Sequence, residues 1–138
     1  HHFGNRFASQ GRGGIILFGS IVGFQGMPWL SHYAATKAYV QTLAEGLRTE
    51  LTPLGVDVLS AAPGPTATGF AKRAKMNMGK ALDPNSLAKT ILDSLGRKTT
   101  VLPGFLSKLL VYSLYPLPRW AKIKIMGTVA KGMTKTQN

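Results

Sequence analysis

The sequence predicts an α/β fold in which helices flank a parallel sheet. Three short runs of apolar and β-branched residues alternate with two longer segments of helical character. Each run stops at a glycine or a proline, residues that commonly end a strand and begin a turn. Parallel strands need a long crossover between them, usually a helix, so this alternation favours parallel pairing. The three strand-like runs cover residues 14–18, 56–62 and 99–102.

The chain opens with a helical segment and a glycine-rich turn. Residues 1–10 are predicted to be the end of a helix, and the three glycines within residues 11–14 turn the chain into the first strand. A glycine-rich loop that binds a pyrophosphate has the opposite placement, because it follows a strand and opens a helix. We therefore interpret residues 11–14 as a turn only.

The longest helix is predicted over residues 32–52, after a leading segment at 28–31. Leu43, Leu47 and Leu51 recur at every fourth position and form one apolar stripe along it. A proline and a glycine directly after these residues end the helix.

The second helix between strands is predicted from Asp83 to about Leu95. Asp83 is a favourable N-cap residue, and Pro84 suits the first helical position, where a missing N–H costs no hydrogen bond. A Pro-Gly pair closes the third strand shortly afterwards. We predict one domain over residues 1–104 and a helical extension over residues 105–138.

Composition excludes several classes of protein. The apolar fraction of 44% is ordinary for a globular domain. The chain has no cysteine, so disulfides and thiol catalysis are excluded. No apolar run approaches the ~20 residues of a membrane span. We predict a cytoplasmic protein without a metal site, and membrane association stays open for its C-terminal part.

Positive charge is concentrated in the second half of the chain. The formal net charge is +12, and residues 69–138 hold +11 of it. Within 105–135, lysines alternate with apolar residues at helical spacing, which is typical of a basic amphipathic helix lying on an anionic membrane surface. A helix that packs on its own domain and keeps its lysines in water has the same pattern. No nucleic-acid recognition motif is present, so nucleic acid is not an expected partner.

Ser20, Tyr33 and Lys37 are the candidate catalytic residues. Ser20 follows the first strand, thirteen residues before Tyr33. Tyr33 and Lys37 lie at i and i+4 in the longest helix, where side chains are neighbours on one face. A cation beside a phenol stabilises the phenolate, which helps a tyrosine to give and take a proton.

This arrangement resembles the short-chain dehydrogenase/reductase family. In that family the catalytic serine stands thirteen residues before the tyrosine of a Tyr-x-x-x-Lys motif, as Ser20 does here. A Pro-Gly-x-x-x-Thr segment follows the next strand, and Pro63 and Gly64 begin a similar segment in this chain. The resemblance implies a Rossmann-like, doubly wound parallel sheet.

The resemblance also implies an NAD(P)-dependent oxidoreductase that reduces a carbonyl or oxidises an alcohol. Tyr33 would transfer the proton, Ser20 would hydrogen-bond the reacting oxygen, and Lys37 would hold the nicotinamide ribose. NADP is the implied cofactor, with NAD as the alternative. The implied cofactor-binding residues are Tyr33, Lys37, Pro63, Gly64, Thr66 and Thr68.

The candidate substrate contacts are Ser20, Phe24, Met27 and Phe70, which lie in the segments that flank the substrate in this family. The apolar side chains of Phe24, Met27 and Phe70 favour an apolar carbonyl or alcohol substrate, although they fit a hydrophobic core equally well. The Pro-Gly pair after the third strand and the long basic tail resemble the branch of the family that reduces long-chain keto compounds.

One family feature is absent from the sequence. No Gly-x-Gly-x-x-Gly or other glycine-rich turn leads from a strand into a helix. The family places this turn, and an active-site asparagine, before the catalytic serine, and Asn5 is too close to Ser20 to be that asparagine. We therefore predict the C-terminal half of a reductase, truncated at its N-terminus, inactive alone and a homo-oligomer when complete.

Two other classes of function stay open. One is a non-catalytic fragment or interaction protein that docks to a membrane or a partner through its basic tail. The other is a serine hydrolase that uses Ser20, but the Gly-x-Ser-x-Gly pattern is absent and no Asp or Glu followed by His lies downstream in the required order.

Overall fold

The computed structural model describes residues 1–69 and 81–134. In these residues a three-stranded parallel sheet carries helices on both faces. Short 3-10 helices follow β1 and α2. The elements in chain order are α1 (His2–Gln10), β1 (Gly13–Phe18), a 3-10 helix (Ile21–Phe24), α2 (Ser31–Leu51), a 3-10 helix (Thr52–Leu54), β2 (Val56–Ala61), α3 (Pro84–Leu92), β3 (Thr100–Val101), α4 (Phe105–Leu114) and α5 (Arg119–Thr134).

β2 is the central strand of the sheet. It pairs in parallel with β1 from Gly13 opposite Val56 to Phe18 opposite Ala61, and with β3 through Ser60 and Ala61. All but one of the β2 residues are buried, as expected of a parallel strand that is covered on both faces. The predicted parallel sheet is confirmed.

Different helices cover the two faces of β2. Ser60 points to α2, where its hydroxyl donates a hydrogen bond to the Gln41 side chain. Leu59 precedes it by one residue, so its side chain lies on the opposite face, where it packs with Ile91 of α3. Helices on both faces make the sheet doubly wound, which confirms the predicted fold class.

Small residues on its inner face let α2 lie close to the sheet. Ala34 is 3% exposed and Ala44 is fully buried, whereas Leu43 is 37% exposed. The predicted leucine stripe therefore does not face the sheet at Leu43. With Tyr39 and Leu47, this residue lines a shallow depression of about 390 Å³ on the opposite face of the helix.

Arg48 binds a backbone carbonyl group of β2 at a position where β3 is too short to pair with that strand. β3 begins opposite Ser60, so the carbonyl group of Val58 lies beyond its reach. The Arg48 Nη1 atom donates a hydrogen bond to that carbonyl oxygen at 2.9 Å. This bond satisfies a backbone acceptor in a fully buried residue.

α4 and α5 pack on the same core as the preceding elements. Leu114, Met126 and Ala130 are each at most 5% exposed and form one cluster with the segment that follows β1. The division into a domain over 1–104 and an extension over 105–138 stays a prediction. Among the helices of the described residues, none has the length and hydropathy needed to cross a bilayer.

Candidate active site

The predicted catalytic and cofactor-binding residues meet at the carboxyl edge of the sheet. Ser20 lies two residues after β1, and Pro63 lies two residues after β2. Tyr33 and Lys37 occupy the first two turns of α2. In open α/β sheets this edge, just beyond the strand ends, is where ligands bind.

Ser20 joins the end of β1 to the turn after β2. Its hydroxyl group lies 3.5 Å from the Pro63 carbonyl oxygen, to which it donates, and accepts a hydrogen bond from the Val22 N–H at 3.4 Å. The Ile21 N–H donates to the same Pro63 oxygen at 3.2 Å. The serine side chain is half-buried, so its position is constrained while it stays accessible.

Tyr33 and Lys37 form a contact pair on α2, as their spacing predicts. The Lys37 ammonium lies 5.6 Å from the centroid of the Tyr33 ring, within the range of a cation–π interaction. Lys37 Nζ also donates a hydrogen bond of 2.9 Å to the carbonyl oxygen of Phe18, the last residue of β1. The cation is therefore held between the phenol ring and the strand that leads to the serine.

Gly23 lets the serine segment, which we define as residues 20–24, lie close to α2. A Cβ atom at this position would lie 2.8 Å from both the carbonyl carbon and the carbonyl oxygen of Lys37. Only glycine fits without displacement of one of the two segments. Gly23 could not be predicted as part of the site from the sequence, because a single glycine after a strand has many causes.

Gln41 fixes the position of α2 relative to the sheet. Its side-chain amide accepts a hydrogen bond from Ser60 of β2 and donates to Thr100 of β3 at 2.6 Å and to Glu45 at 2.7 Å. Gln41 is 7% exposed, and it lies one turn after Lys37. These bonds hold the helix that carries the candidate catalytic pair, and the sequence analysis did not single out Gln41.

Ser107 of α4 holds the turn after β2. The Gly64 N–H donates a hydrogen bond of 3.1 Å to the Ser107 hydroxyl group, and Ser107 is 3% exposed. A Cβ atom at Gly64 would lie 2.5 Å from that hydroxyl oxygen, so a side chain here would displace it. The sequence carries no signal for this contact, since the two residues are 43 positions apart.

The two threonines predicted to bind the cofactor differ in their surroundings. Thr66 is half-buried, and its hydroxyl group donates to the Gly64 carbonyl oxygen at 3.1 Å. Its backbone forms a parallel bridge with Leu82. Thr68 is exposed, and its N–H donates to the Thr66 carbonyl oxygen at 2.8 Å.

The predicted substrate contacts lie in different surroundings. Met27 is 3% exposed and belongs to the core cluster, and Phe24 is half-buried and packs against the same cluster. Phe70 lies outside the described residues. A substrate role for these three residues stays a prediction.

The donors at this edge fit the nicotinamide end of a dinucleotide. An ammonium group has three N–H donors, and the bond from Lys37 to Phe18 uses one of them. The others suit ribose hydroxyl groups, which accept hydrogen bonds. The phosphates require a glycine-rich turn at a helix N-terminus, and no such turn occurs in the sequence.

Within residues 1–69 and 81–134 no group of three or more His, Cys, Asp or Glu side chains could hold a metal ion.

Residues 2–79 match the family model of the short chain dehydrogenases. The chain belongs to this family. The matched segment covers more than half of the chain and contains Ser20, Tyr33 and Lys37. The family identified from the motif is thus confirmed, and it is a family of oxidoreductases with a Rossmann-like fold.

Known members of the family are longer than this chain. The 7beta-hydroxysteroid dehydrogenase of Clostridium sardiniense is 34% identical over 112 residues, which make up 78% of this chain and 43% of that protein. A solved 7beta-hydroxysteroid dehydrogenase structure superposes with a TM-score of 0.79 at 29% identity, over 91% of this chain and 50% of that one. A short chain dehydrogenase from Burkholderia cenocepacia J2315, in complex with NADP, superposes with a TM-score of 0.74 at 26% identity, over 86% of this chain and 50% of that one. This chain therefore spans half of these relatives or less.

Proposed function

We propose that this chain supplies the catalytic edge of an NADP-dependent oxidoreductase that interconverts a carbonyl and an alcohol. The proposal rests on the contacts that join the end of β1, the start of α2 and the turn after β2. Ser20 is bound to the turn at Pro63, and Lys37 is bound to Phe18 while it contacts the Tyr33 ring. A proton donor, a second hydrogen-bond donor and a cation thus share one edge of the sheet.

In the proposed reaction each of these residues has a separate task. The cofactor, when bound, supplies or accepts the hydride. Tyr33 donates its phenolic proton to the oxygen that becomes an alcohol, and takes a proton from it in the reverse direction. Ser20 donates a hydrogen bond to the same oxygen, and this bond strengthens as negative charge develops there.

Lys37 would act through charge and position. Its ammonium lies close to the Tyr33 ring, so it stabilises the phenolate that remains after proton donation. Its bond to the Phe18 carbonyl oxygen fixes the ammonium with respect to the serine segment. The remaining donors of the ammonium would bind the nicotinamide ribose, and the Pro63–Thr68 turn would lie along the ring.

The proposed substrate is an apolar carbonyl or alcohol. The names of the 7beta-hydroxysteroid dehydrogenases support a hydroxysteroid as the first compound to assay, and long-chain keto compounds are the second class. The half-buried Phe24 is the described apolar side chain proposed to contact it. The NADP complex of the Burkholderia protein supports NADP as the cofactor to assay first, with NAD as the alternative.

Replacing Tyr33 with phenylalanine in the enzyme that contains this chain tests the proposal. Turnover, followed through nicotinamide absorbance, should fall by about 10³-fold or more, because the proton donor is lost. Cofactor affinity should stay nearly unchanged. Tyr39→Phe is the matched control, since Tyr39 lies on the same helix, is 67% exposed and should leave turnover as it is. Retained activity in Tyr33→Phe would refute the assignment.

The second candidate is a non-catalytic interaction protein. The exposed apolar side chains of α4 and the lysines of α5 favour it, because such surfaces are typical of contacts with a membrane or a partner. This candidate predicts no cofactor binding and no turnover in the whole protein, with Tyr33→Phe behaving like the parent.

We also propose that the complete protein is a homo-oligomer that uses the outer face of α2. Tyr39 and Leu43 are exposed there by 67% and 37% and line the shallow depression. Contiguous apolar surface of this kind is typical of protein–protein contacts.

A further inference from the structure

The outward side of α4 is apolar. A helix at the surface of a soluble domain normally turns polar residues to water and apolar residues to the core. α4 does bury Ser107 and Leu114 against the core, yet its other side and the residue after it also carry large apolar groups. We term these the α4 apolar face: Phe105, Leu106, Leu109, Tyr112 and Tyr115, which are 80%, 57%, 52%, 66% and 77% exposed.

Cations border this face, and no acidic residue lies near it in sequence. Lys108 is exposed on α4 itself. Lys122 of α5 lies 5.6 Å from the centroid of the Tyr115 ring, so α5 adjoins the α4 apolar face. Trp120, two residues before Lys122, is 71% exposed. After Asp93 the sequence contains no Asp or Glu at all.

We propose that the α4 apolar face docks the protein on the surface of an anionic lipid bilayer. Phenylalanine and leucine side chains would enter the boundary between headgroups and acyl chains, while tyrosine and tryptophan rings suit this boundary because one end is apolar and the other polar. Lysine side chains have long apolar stems and can reach lipid phosphates from the same face. The helix lies on the membrane and does not cross it.

Charge favours a bilayer over a second copy of this chain as the occupant of this face. Two copies that met through this face would bring like charges together, because all charged side chains in residues 94–138 are lysines or arginines. An anionic bilayer is complementary both to these cations and to the apolar side chains between them. This proposal concerns docking alone and does not depend on the proposed reaction.

Vesicle sedimentation with the whole protein that contains this chain tests the proposal. We expect binding to vesicles of phosphatidylcholine with phosphatidylserine, much weaker binding to phosphatidylcholine alone, and loss of binding at high salt. Lys108→Gln should weaken binding about fivefold, as expected for one cation near an anionic surface. Phe105→Ser combined with Tyr112→Ser should weaken it about tenfold or more. All three side chains are exposed, so circular dichroism should remain that of the parent.

Two variants serve as matched controls. Lys89 is exposed on α3 and Leu54 is 49% exposed after α2, and both lie outside the α4 apolar face. Lys89→Gln and Leu54→Ser should bind vesicles like the parent. If these controls lost as much vesicle binding as the α4 variants, net charge or non-specific hydrophobic adsorption would drive binding, and the proposal would be overturned.

Other outcomes also overturn it. Equal binding to both kinds of vesicle would contradict the role of the cations, and no binding to either would contradict docking altogether. Two further assays test the alternative occupants of the face: sedimentation velocity without lipid tests a second copy of the chain, and competition with polyglutamate tests an acidic protein. Self-association that Phe105→Ser abolishes would assign the face to a second copy, and tight binding of polyglutamate that outcompetes vesicles would assign it to an acidic protein.

Discussion

Replacing Gly23 with alanine should push the serine segment away from α2. The added Cβ would lie 2.8 Å from the carbonyl carbon and oxygen of Lys37, and 3.1 Å from the Ala38 nitrogen. Ordinary contacts at such an atom begin near 3.4 Å, so one segment must move by about 0.6 Å. Overpacking of this size costs about 1 to 3 kcal/mol, which corresponds to a fall in Tm of about 3 to 12 °C for a domain of this size.

Thermal unfolding followed by circular dichroism measures this effect. Gly46→Ala is the matched control, because Gly46 lies within α2 and a Cβ there would meet only the Glu50 carboxylate at 4.0 Å. Alanine has the higher helix propensity, so this variant should be more stable by about 0.5 to 1 kcal/mol. If Gly23→Ala unfolds at the parent temperature, the close approach of the serine segment to the catalytic helix is refuted.

Three further predictions concern other contacts. Ser107→Ala leaves the half-buried Gly64 N–H without its partner, so stability to urea should fall by about 1 kcal/mol and the KM for cofactor should rise more than kcat falls; an unchanged KM would contradict a positioning role. Arg48→Met removes the donor to the Val58 carbonyl oxygen and should cost about 1 to 2 kcal/mol in the same unfolding assay, whereas no loss would mean that water replaces it. Leu43→Asp places a charge in the outer depression of α2 and should dissociate the proposed homo-oligomer in sedimentation velocity; an unchanged sedimentation coefficient would remove α2 from the interface.

The sequence predicted the parts of the site that depend on local spacing. Tyr33 and Lys37 contact each other because residues four apart on a helix are neighbours, and this holds wherever the helix packs. Ser20 was identified by its distance along the chain from Tyr33, which reflects the length of the connection between a strand end and the next helix. The parallel sheet followed from the alternation of elements.

Contacts between distant segments could not be predicted. Ser107 and Gln41 are ordinary polar residues within helices, and their partners are fixed only when the strands and helices pack. The leucine at position 43 was placed on an apolar stripe, but α2 turns Ala44 to the sheet because a small residue permits a closer approach. Periodicity identifies an apolar face, and it does not tell whether the sheet or another surface covers that face.

The central claim is that Ser20, Tyr33 and Lys37 act on one substrate oxygen beside a nicotinamide ring. A crystal structure of the enzyme that contains this chain, with NADP and a hydroxysteroid bound, tests it most directly. The account predicts the reacting oxygen within hydrogen-bond distance of the Tyr33 and Ser20 hydroxyl groups, and the nicotinamide ribose in contact with Lys37 Nζ. A nicotinamide bound away from this edge of the sheet, with Tyr33 contacting neither ligand, would contradict it.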